Sequence, residues 1–275
     1  MPSEGPAPYH RGGQGSPLVL LHGFTGTWRM WRPVLAPLES CHDVIALTLP
    51  CHHGGPDIAP GATVGIAALA DALERSLDDL GLDTVHLSGN SLGGWLSLEL
   101  ARRGRARSVV ALSPAGGWEE MRDLQRTARI IGSSVRLGIR AAPFLRAELL
   151  PGPVRKFALR ATMERGDRVP PDALLEMLED LGGCTILDSF MEATVRDGPF
   201  SQDMSHVTCP IRVAWSQNDR TIPADRHGRP LLEHLPQAEF LAMHGVGHVP
   251  MYDDPAQVAA TILEVTTAVD EALVG

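Results

Sequence analysis

The sequence predicts an α/β fold: a mostly parallel, doubly wound sheet forming one domain, with an inserted helical cap. Three observations carry this. Short apolar runs recur, each closed by a turn residue, and strands covered on both faces of a parallel sheet read as such continuous runs. Amphipathic helical stretches separate the runs, and strand alternating with helix in one sheet requires right-handed crossovers. The alternation breaks once, for a long stretch with helical pattern only.

Residues 17–22, Pro-Leu-Val-Leu-Leu-His, form the first strand and end at Gly23; residues 44–49, 85–88, 109–112, 211–215 and 240–243 follow. Between them, 64–80 places Ile66, Leu69, Ala70, Leu73, Leu77 and Leu80 at three- and four-residue spacing and stops at Gly81, the signature of an amphipathic helix. Residues 91–103 and 255–273 behave alike. From Ala115 to about Ser205 no strand pattern occurs, and Pro143, Pro151, Pro153, Pro170 and Pro171 cut the stretch into four or five helices. The expected organisation is a sheet core over 1–114 and 207–275 with the cap over 115–206. That cap would lie above the carboxyl ends of the strands, where open α/β sheets bind ligands.

Composition excludes several classes. The 275 residues, 44% of them hydrophobic, suffice to bury a core without metal or disulfide support. The 28 Gly and 22 Pro show no period, so neither a collagen-like nor a low-complexity chain fits. Acids outnumber bases 33 to 24, and a net charge of -9 disfavours nucleic acid and anionic membranes as partners. Apolar runs such as 18–21 are far shorter than the roughly 20 residues of a membrane helix. Met1-Pro-Ser-Glu-Gly-Pro has neither basic nor apolar leader features, so a cytoplasmic location is expected. Cys41, Cys51, Cys184 and Cys209 form no C-x-x-C pair. His42, Cys51, His52 and His53 cluster locally, but adjacent side chains rarely point at one centre, so no metal is expected.

Gly89-Asn-Ser91-Leu-Gly93, followed by Gly94, lies between a strand and a helix. Alone, G-x-S-x-G arises by chance in a Gly-rich chain and can be a solvated turn; its position gives it meaning. A nucleophile on so tight a turn needs small neighbours, because the chain passes close to itself. A serine hydroxyl also needs a general base, normally a histidine oriented by a carboxylate. Asp219, in Ser-Gln-Asn-Asp-Arg-Thr-Ile-Pro, follows the strand 211–215, with Asp188 and Asp225 as rivals. His248, in His-Gly-Val-Gly-His-Val-Pro, follows the strand 240–243. Of the other histidines, His22 precedes a buried turn and His227 and His234 fit a helix face. Leu21-His-Gly-Phe24, after the first strand, completes the set: the backbone N–H groups of Phe24 and of Leu92 can hold an oxyanion.

With HGF, GNSLGG, QNDRTIP and GVGHVP in this order on strand ends, the chain resembles the α/β-hydrolase superfamily over nearly its whole length. It looks closest to the single-cap carboxylesterase and carbon–carbon bond hydrolase branches. The resemblance implies a serine hydrolase that needs no cofactor, with Ser91, Asp219 and His248 as triad, acting on a small-molecule ester. A carbon–carbon bond hydrolase, with Asn90 beside the nucleophile, a lactonase or a thioesterase uses the same residues; a ligand receptor or helper on the same fold is the non-enzymatic alternative. Branches with an Asp nucleophile, including many epoxide hydrolases, are disfavoured by Ser91. Two departures stand out. Thr48-Leu-Pro-Cys-His-His53 replaces a glycine-bearing Asp-x-Pro-Gly-x-Gly stretch, which puts the shape of this loop in question and offers Cys51 or His52 to the pocket. The family's N-terminal antiparallel strand pair looks shortened.

From Ala115 to Pro170 eleven bases face six acids, a local surplus of five positive charges. Arg122, Arg126 and Arg129 share a helix face. The favoured expectation is a solvated face pairing with the acidic residues 172–203; the alternative is a docking surface for an anionic acyl carrier. Trp28, Trp31, Met121, Phe144 and Met163 are candidates for the pocket or the core.

Overall fold

The computed structural model describes residues 6–274. Met1 to Gly5, on which the expectation of a cytoplasmic location partly rests, and Gly275 lie outside them. Seven strands form one sheet in the order β1-β3-β2-β4-β5-β6-β7: β1 Tyr9–Gly12, β2 Ser16–Leu21, β3 His42–Leu47, β4 Val85–Asn90, β5 Ala106–Leu112, β6 Ile211–Ser216 and β7 Glu239–Met243. β1 runs antiparallel to β3 at the edge, and every other pairing is parallel. A single antiparallel strand thus precedes the parallel sheet. The parallel register aligns the carboxyl ends of the central strands, with Leu21 beside Gly89, Asn90 beside Leu112, and Leu112 beside Ala214.

β2 shows why its sequence is apolar throughout. Successive side chains point to opposite faces: Val19 and Leu21 enter the core under α2 (Ile66–Asp79) and α3 (Leu92–Arg102). Leu18 and Leu20 enter the core under α1 (Arg32–Glu39) and α9 (Pro255–Val274). All four are fully buried, each contributing roughly 1.5–3 kcal/mol of transfer free energy. α3 is the central helix, buried at every position from Leu92 to Ala101.

Between β5 and β6 every element is helical: α4 Met121–Ala141, α5 Gly152–Leu159, α6 Pro171–Gly183 and α7 Leu187–Asp197, with short 3-10 turns at Ala142–Phe144, Ala147–Leu149 and Gly166–Arg168. The prolines fall where the pattern places them, Pro153 and Pro171 in the first turns of α5 and α6. After β6 come a π-helical turn, Ala224–Gly228, and the short α8, Arg229–Glu233.

The expected pairing of the basic and acidic halves of this insertion is corrected. Arg136 meets Asp188 at 3.1 Å, with both side chains more than half exposed, but the acids of α6 turn the other way. Asp180, buried, takes hydrogen bonds from Thr27 Oγ1 (2.8 Å), His53 Nδ1 (3.1 Å) and the Arg29 guanidinium, and Glu176 pairs with Arg29 and Arg32. α6 presents these acids to the turn Trp28–Trp31 and to α1, so its charge fastens the insertion to the core. Arg126, Arg129, Arg140, Arg146, Lys156 and Arg160 form no ion pair among the described residues.

Candidate active site

The sharpest local feature is Ser91. β4 ends at Asn90 and α3 starts at Leu92, so the turn is one residue, and Ser91 takes φ 55° and ψ -115°. A non-glycine residue at positive φ costs of order 1–3 kcal/mol and persists only where its surroundings over-determine it. They do: Ser91 N–H donates to Leu112 O (3.0 Å), and Ser91 O accepts from Ala115 N–H (2.9 Å) and Trp95 N–H (3.1 Å). The flanking glycines are obligatory. A Cβ on Gly89 would lie 2.1 Å from Gly93 O, and one on Gly93 would lie 2.1 Å from Leu21 O.

The structure brings Asp219 and His248 together. Asp219 is held by its own turn, Oδ1 accepting from Thr221 N–H (2.9 Å) and Ile222 N–H (2.8 Å). Its Oδ2 lies 2.7 Å from His248 Nδ1, and both side chains are buried. A carboxylate only accepts, so Nδ1–H is the donor and Nε2 is the ring nitrogen that Asp219 does not engage. The loops carrying the two residues are bound to each other, Gln217 N–H donating to Met243 O (2.8 Å) and Asn218 N–H to Val246 O (3.1 Å).

Three side chains tie this pair to its surroundings. Asn90 Nδ2 donates to His248 O and Leu112 O. Asp253, buried, accepts from the N–H groups of Gly247 (2.7 Å), Glu164 (2.9 Å) and Arg165 (2.7 Å). Thr221 Oγ1 donates to Ala161 O (3.0 Å), and Val249 N–H donates to Thr162 O (2.8 Å). Residues 160–165 of the insertion therefore hold the Asp219 loop and the His248 loop at once. Sequence reasoning missed Asp253 and this segment; the sole signal was a carboxylate in an otherwise apolar stretch, Pro250-Met-Tyr-Asp253.

On the other side of Ser91 lies the turn after β2. Gly23 leaves room there, since a Cβ on it would sit 3.4 Å from Ser91 Cβ. His22, fully buried, accepts from Leu49 N–H at Nε2 (2.9 Å) and donates from Nδ1 to Gly23 O (2.7 Å), which fixes a neutral ring; burial drives its pKa well below the ordinary range. Among the described residues the N–H groups of Phe24 and Leu92 have no acceptor. Phe24 packs on Phe190 of α7 (5.1 Å) and edge-on to His52 (5.6 Å). Burial lowers the His52 pKa to about 4.

The glycine-poor loop keeps a left-handed step. Cys51 adopts φ 62°, and its carbonyl accepts from Thr185 N–H of the insertion (3.0 Å). Of the cluster weighed for metal, His42 sits apart with Ser16 and Thr266, while His53 faces Asp180. Neither rival of Asp219 bonds to His248: Asp188 is exposed beside Arg136, and Asp225 lines a cleft with Glu119, Arg122 and Arg229. His227, expected on a helix face, is instead buried, its Nδ1 2.6 Å from Gly117 O. Trp31 and Met163 are core; Met121 and Phe144 are exposed.

A seven-stranded, mostly parallel sheet with a serine on a strand–helix turn defines the class: a hydrolase built on the α/β plan. The chain belongs to the alpha/beta hydrolase family, whose pattern it matches over residues 18–261. It is 36% identical over 200 residues to "Epoxide hydrolase EphH" of Mycobacterium tuberculosis, covering 71% of this chain and 92% of that one. Among solved structures, a thermophilic esterase from Thermogutta terrifontis superposes with a TM-score of 0.70 at 22% identity, covering 95% and 93% of the two chains. The enol-lactonase from Burkholderia xenovorans superposes at 0.68 and 17%, covering 94% and 95%. No helix among the described residues is long and apolar enough to cross a membrane.

Proposed function

We propose that the chain is a serine esterase that cleaves a small-molecule carboxylic ester through an acyl-enzyme. Ser91 is the nucleophile, His248 the general base, Asp219 the orienting carboxylate, and the Phe24 and Leu92 N–H groups the oxyanion donors. The observation that carries this reading is the pair at 2.7 Å, Asp219 Oδ2 and His248 Nδ1, which leaves Nε2 free to take a proton at the strand ends where Ser91 stands.

His248 removes the Ser91 proton as Oγ attacks the ester carbonyl; the developing oxyanion is held by the two N–H groups, each worth roughly a hundredfold or more in rate. The N-terminus of α3 adds a partial positive charge at the same point. His248 then protonates the departing alcohol, and the ester bond breaks to leave the acyl group on Ser91. Water, deprotonated by the same ring, attacks the acyl carbon and releases the acid. The insertion acts as the cap that excludes bulk water.

The name of the mycobacterial relative raises epoxide opening as a rival. An alkoxide attacking an epoxide carbon would leave an ether on Ser91, with no carbonyl for water to attack, so turnover would stop; an ester leaves an acyl group that water releases. The carbon–carbon hydrolase reading loses its particular support as well, because the amide nitrogen of Asn90 is engaged by two backbone carbonyls. The test is labelling with a fluorophosphonate, read by peptide mass spectrometry, beside hydrolysis of p-nitrophenyl esters of graded length. Label on Ser91, lost with all esterase activity in Ser91→Ala, is the expected result. Label elsewhere, or diol formation from an epoxide surviving in Ser91→Ala, would overturn the assignment.

A further inference from the structure

The outer face of the insertion carries an unused chemistry. At 100° per residue, Arg122, Arg126, Arg129, Arg136 and Arg140 of α4 fall within an arc of about 80°, and all five are exposed. Leu137, beside Arg136, is 69% exposed. The stripe runs into residues 143–158, where Leu150 alone is buried. There Phe144 is 79%, Leu149 61% and Phe157 66% exposed, interleaved with Arg146, Arg155 and Lys156. Arg160 covers one face of Phe157 at 3.8 Å.

Four large apolar side chains this exposed within one stretch of chain are unusual for a monomer, and contiguous exposed apolar surface marks interaction sites. Six of the neighbouring bases lack a carboxylate partner, as described above, although the chain as a whole carries a charge of -9. Unpaired positive charge and exposed apolar side chains thus share one stretch of chain, although Arg122, Arg136 and Arg155 of that stretch are engaged by Glu120, by Asp188 and by the Leu150 and Asp167 carbonyls.

We infer that this face docks the protein on an anionic lipid surface. Arginines draw the insertion to acidic headgroups, each worth about 1 kcal/mol near such a surface, and the aromatic and aliphatic side chains enter the headgroup–acyl boundary, as on interfacial helices. A fluid interface accepts scattered apolar side chains without complementary sockets, whereas a protein partner must supply them. The expectation from net charge treats the chain as a whole, whereas residues 115–170 carry eleven bases against six acids. The inference is independent of the esterase reading: none of these residues belongs to the proposed catalytic set.

The experiment is cosedimentation of the whole protein with phosphatidylglycerol vesicles and with phosphatidylcholine vesicles. Binding to the first, weak binding to the second, and release by about 0.5 M salt are expected. Arg126→Glu/Arg129→Glu/Arg140→Glu should lower partitioning at least about a hundredfold, and Phe144→Ser/Phe157→Ser about tenfold. Melting temperatures within a few degrees of the parent's are expected, showing that both variants fold. Equal binding to the two lipids, no binding at low salt, or undiminished binding of the arginine variant would overturn the inference. So would capture of an acidic acyl carrier protein without capture of vesicles.

Discussion

The side-chain amide of Asn90 donates a hydrogen bond to the backbone carbonyl of His248 at 2.9 Å, while its second N–H reaches Leu112 O at 3.1 Å. The residue preceding the proposed nucleophile thus fixes the peptide of the proposed base. Asn90→Ala removes both links, and a displaced base of even about 1 Å costs roughly a hundredfold. Steady-state kinetics should show kcat falling with KM little changed; an unaltered kcat would show that the base loop stands without this bond.

Asp219→Asn keeps the side-chain shape but allows the wrong tautomer of His248. The expected loss is about 10³- to 10⁴-fold in kcat, with slowed fluorophosphonate capture at Ser91 and an unchanged melting curve outside a few degrees. A loss of less than about tenfold would assign the orienting role to another carboxylate.

Asp253→Ala strands three N–H groups, two on the insertion and one on Gly247 beside the base. Buried donors left unpaired cost about 1–3 kcal/mol each, softened where water enters. Urea unfolding should register a loss of several kcal/mol, and limited proteolysis should cut first near residues 160–168.

Acid should weaken the fold through its buried rings. Burial lowers the pKa of His42, His86 and His227 below the ordinary 6.5, and that of His52 to about 4. Between those values and about pH 6.5 the unfolded chain binds protons that the native chain refuses, so stability falls as pH falls. His52 alone supplies about 1.4 kcal/mol per pH unit in that window and nothing above about pH 7.5. His52→Gln should flatten the dependence of the urea midpoint between pH 6.5 and 5. An unchanged slope would mean that the His52 ring is charged in the native state.

Two glycines separate steric need from habit. Gly93→Ala places a Cβ 2.1 Å from Leu21 O, and an overpacked backbone should cost about 3 kcal/mol or more and abolish turnover. Gly182, inside α6, has open space around a built Cβ, so Gly182→Ala should stabilise by about 0.5–1 kcal/mol. Thermal melts of the two variants should move in opposite directions.

The parallel strands were legible because burial on both faces demands continuous apolar runs, and Ser91 because a one-residue strand–helix turn demands glycines on either side. β1 was hidden: its Tyr-His-Arg-Gly alternates between exposed and half-buried, as an edge strand does. α1 was masked by Pro33 and Pro37, tolerated in a short helix that packs through Val34, Leu35 and Leu38. Sequence separation hid the rest. Asp180 and Arg29, or Asp253 and Glu164, meet only in the folded chain, and no local pattern records which acid a distant base will face.

Residues 160–165 grip the acid and base loops, and residues 180 and 185 grip the loops after β2 and β3. Residues 128–159, by contrast, make no hydrogen bond or ion pair to the sheet core among the described residues. The insertion therefore divides within itself, one part bound to the loops that carry Asp219 and His248 and the other riding on it. For protein engineering, the natural splice points fall near residues 128 and 159 rather than at the ends of the insertion. Segments exchanged there between relatives leave the hydrogen bonds around the Asp219 and His248 loops in place.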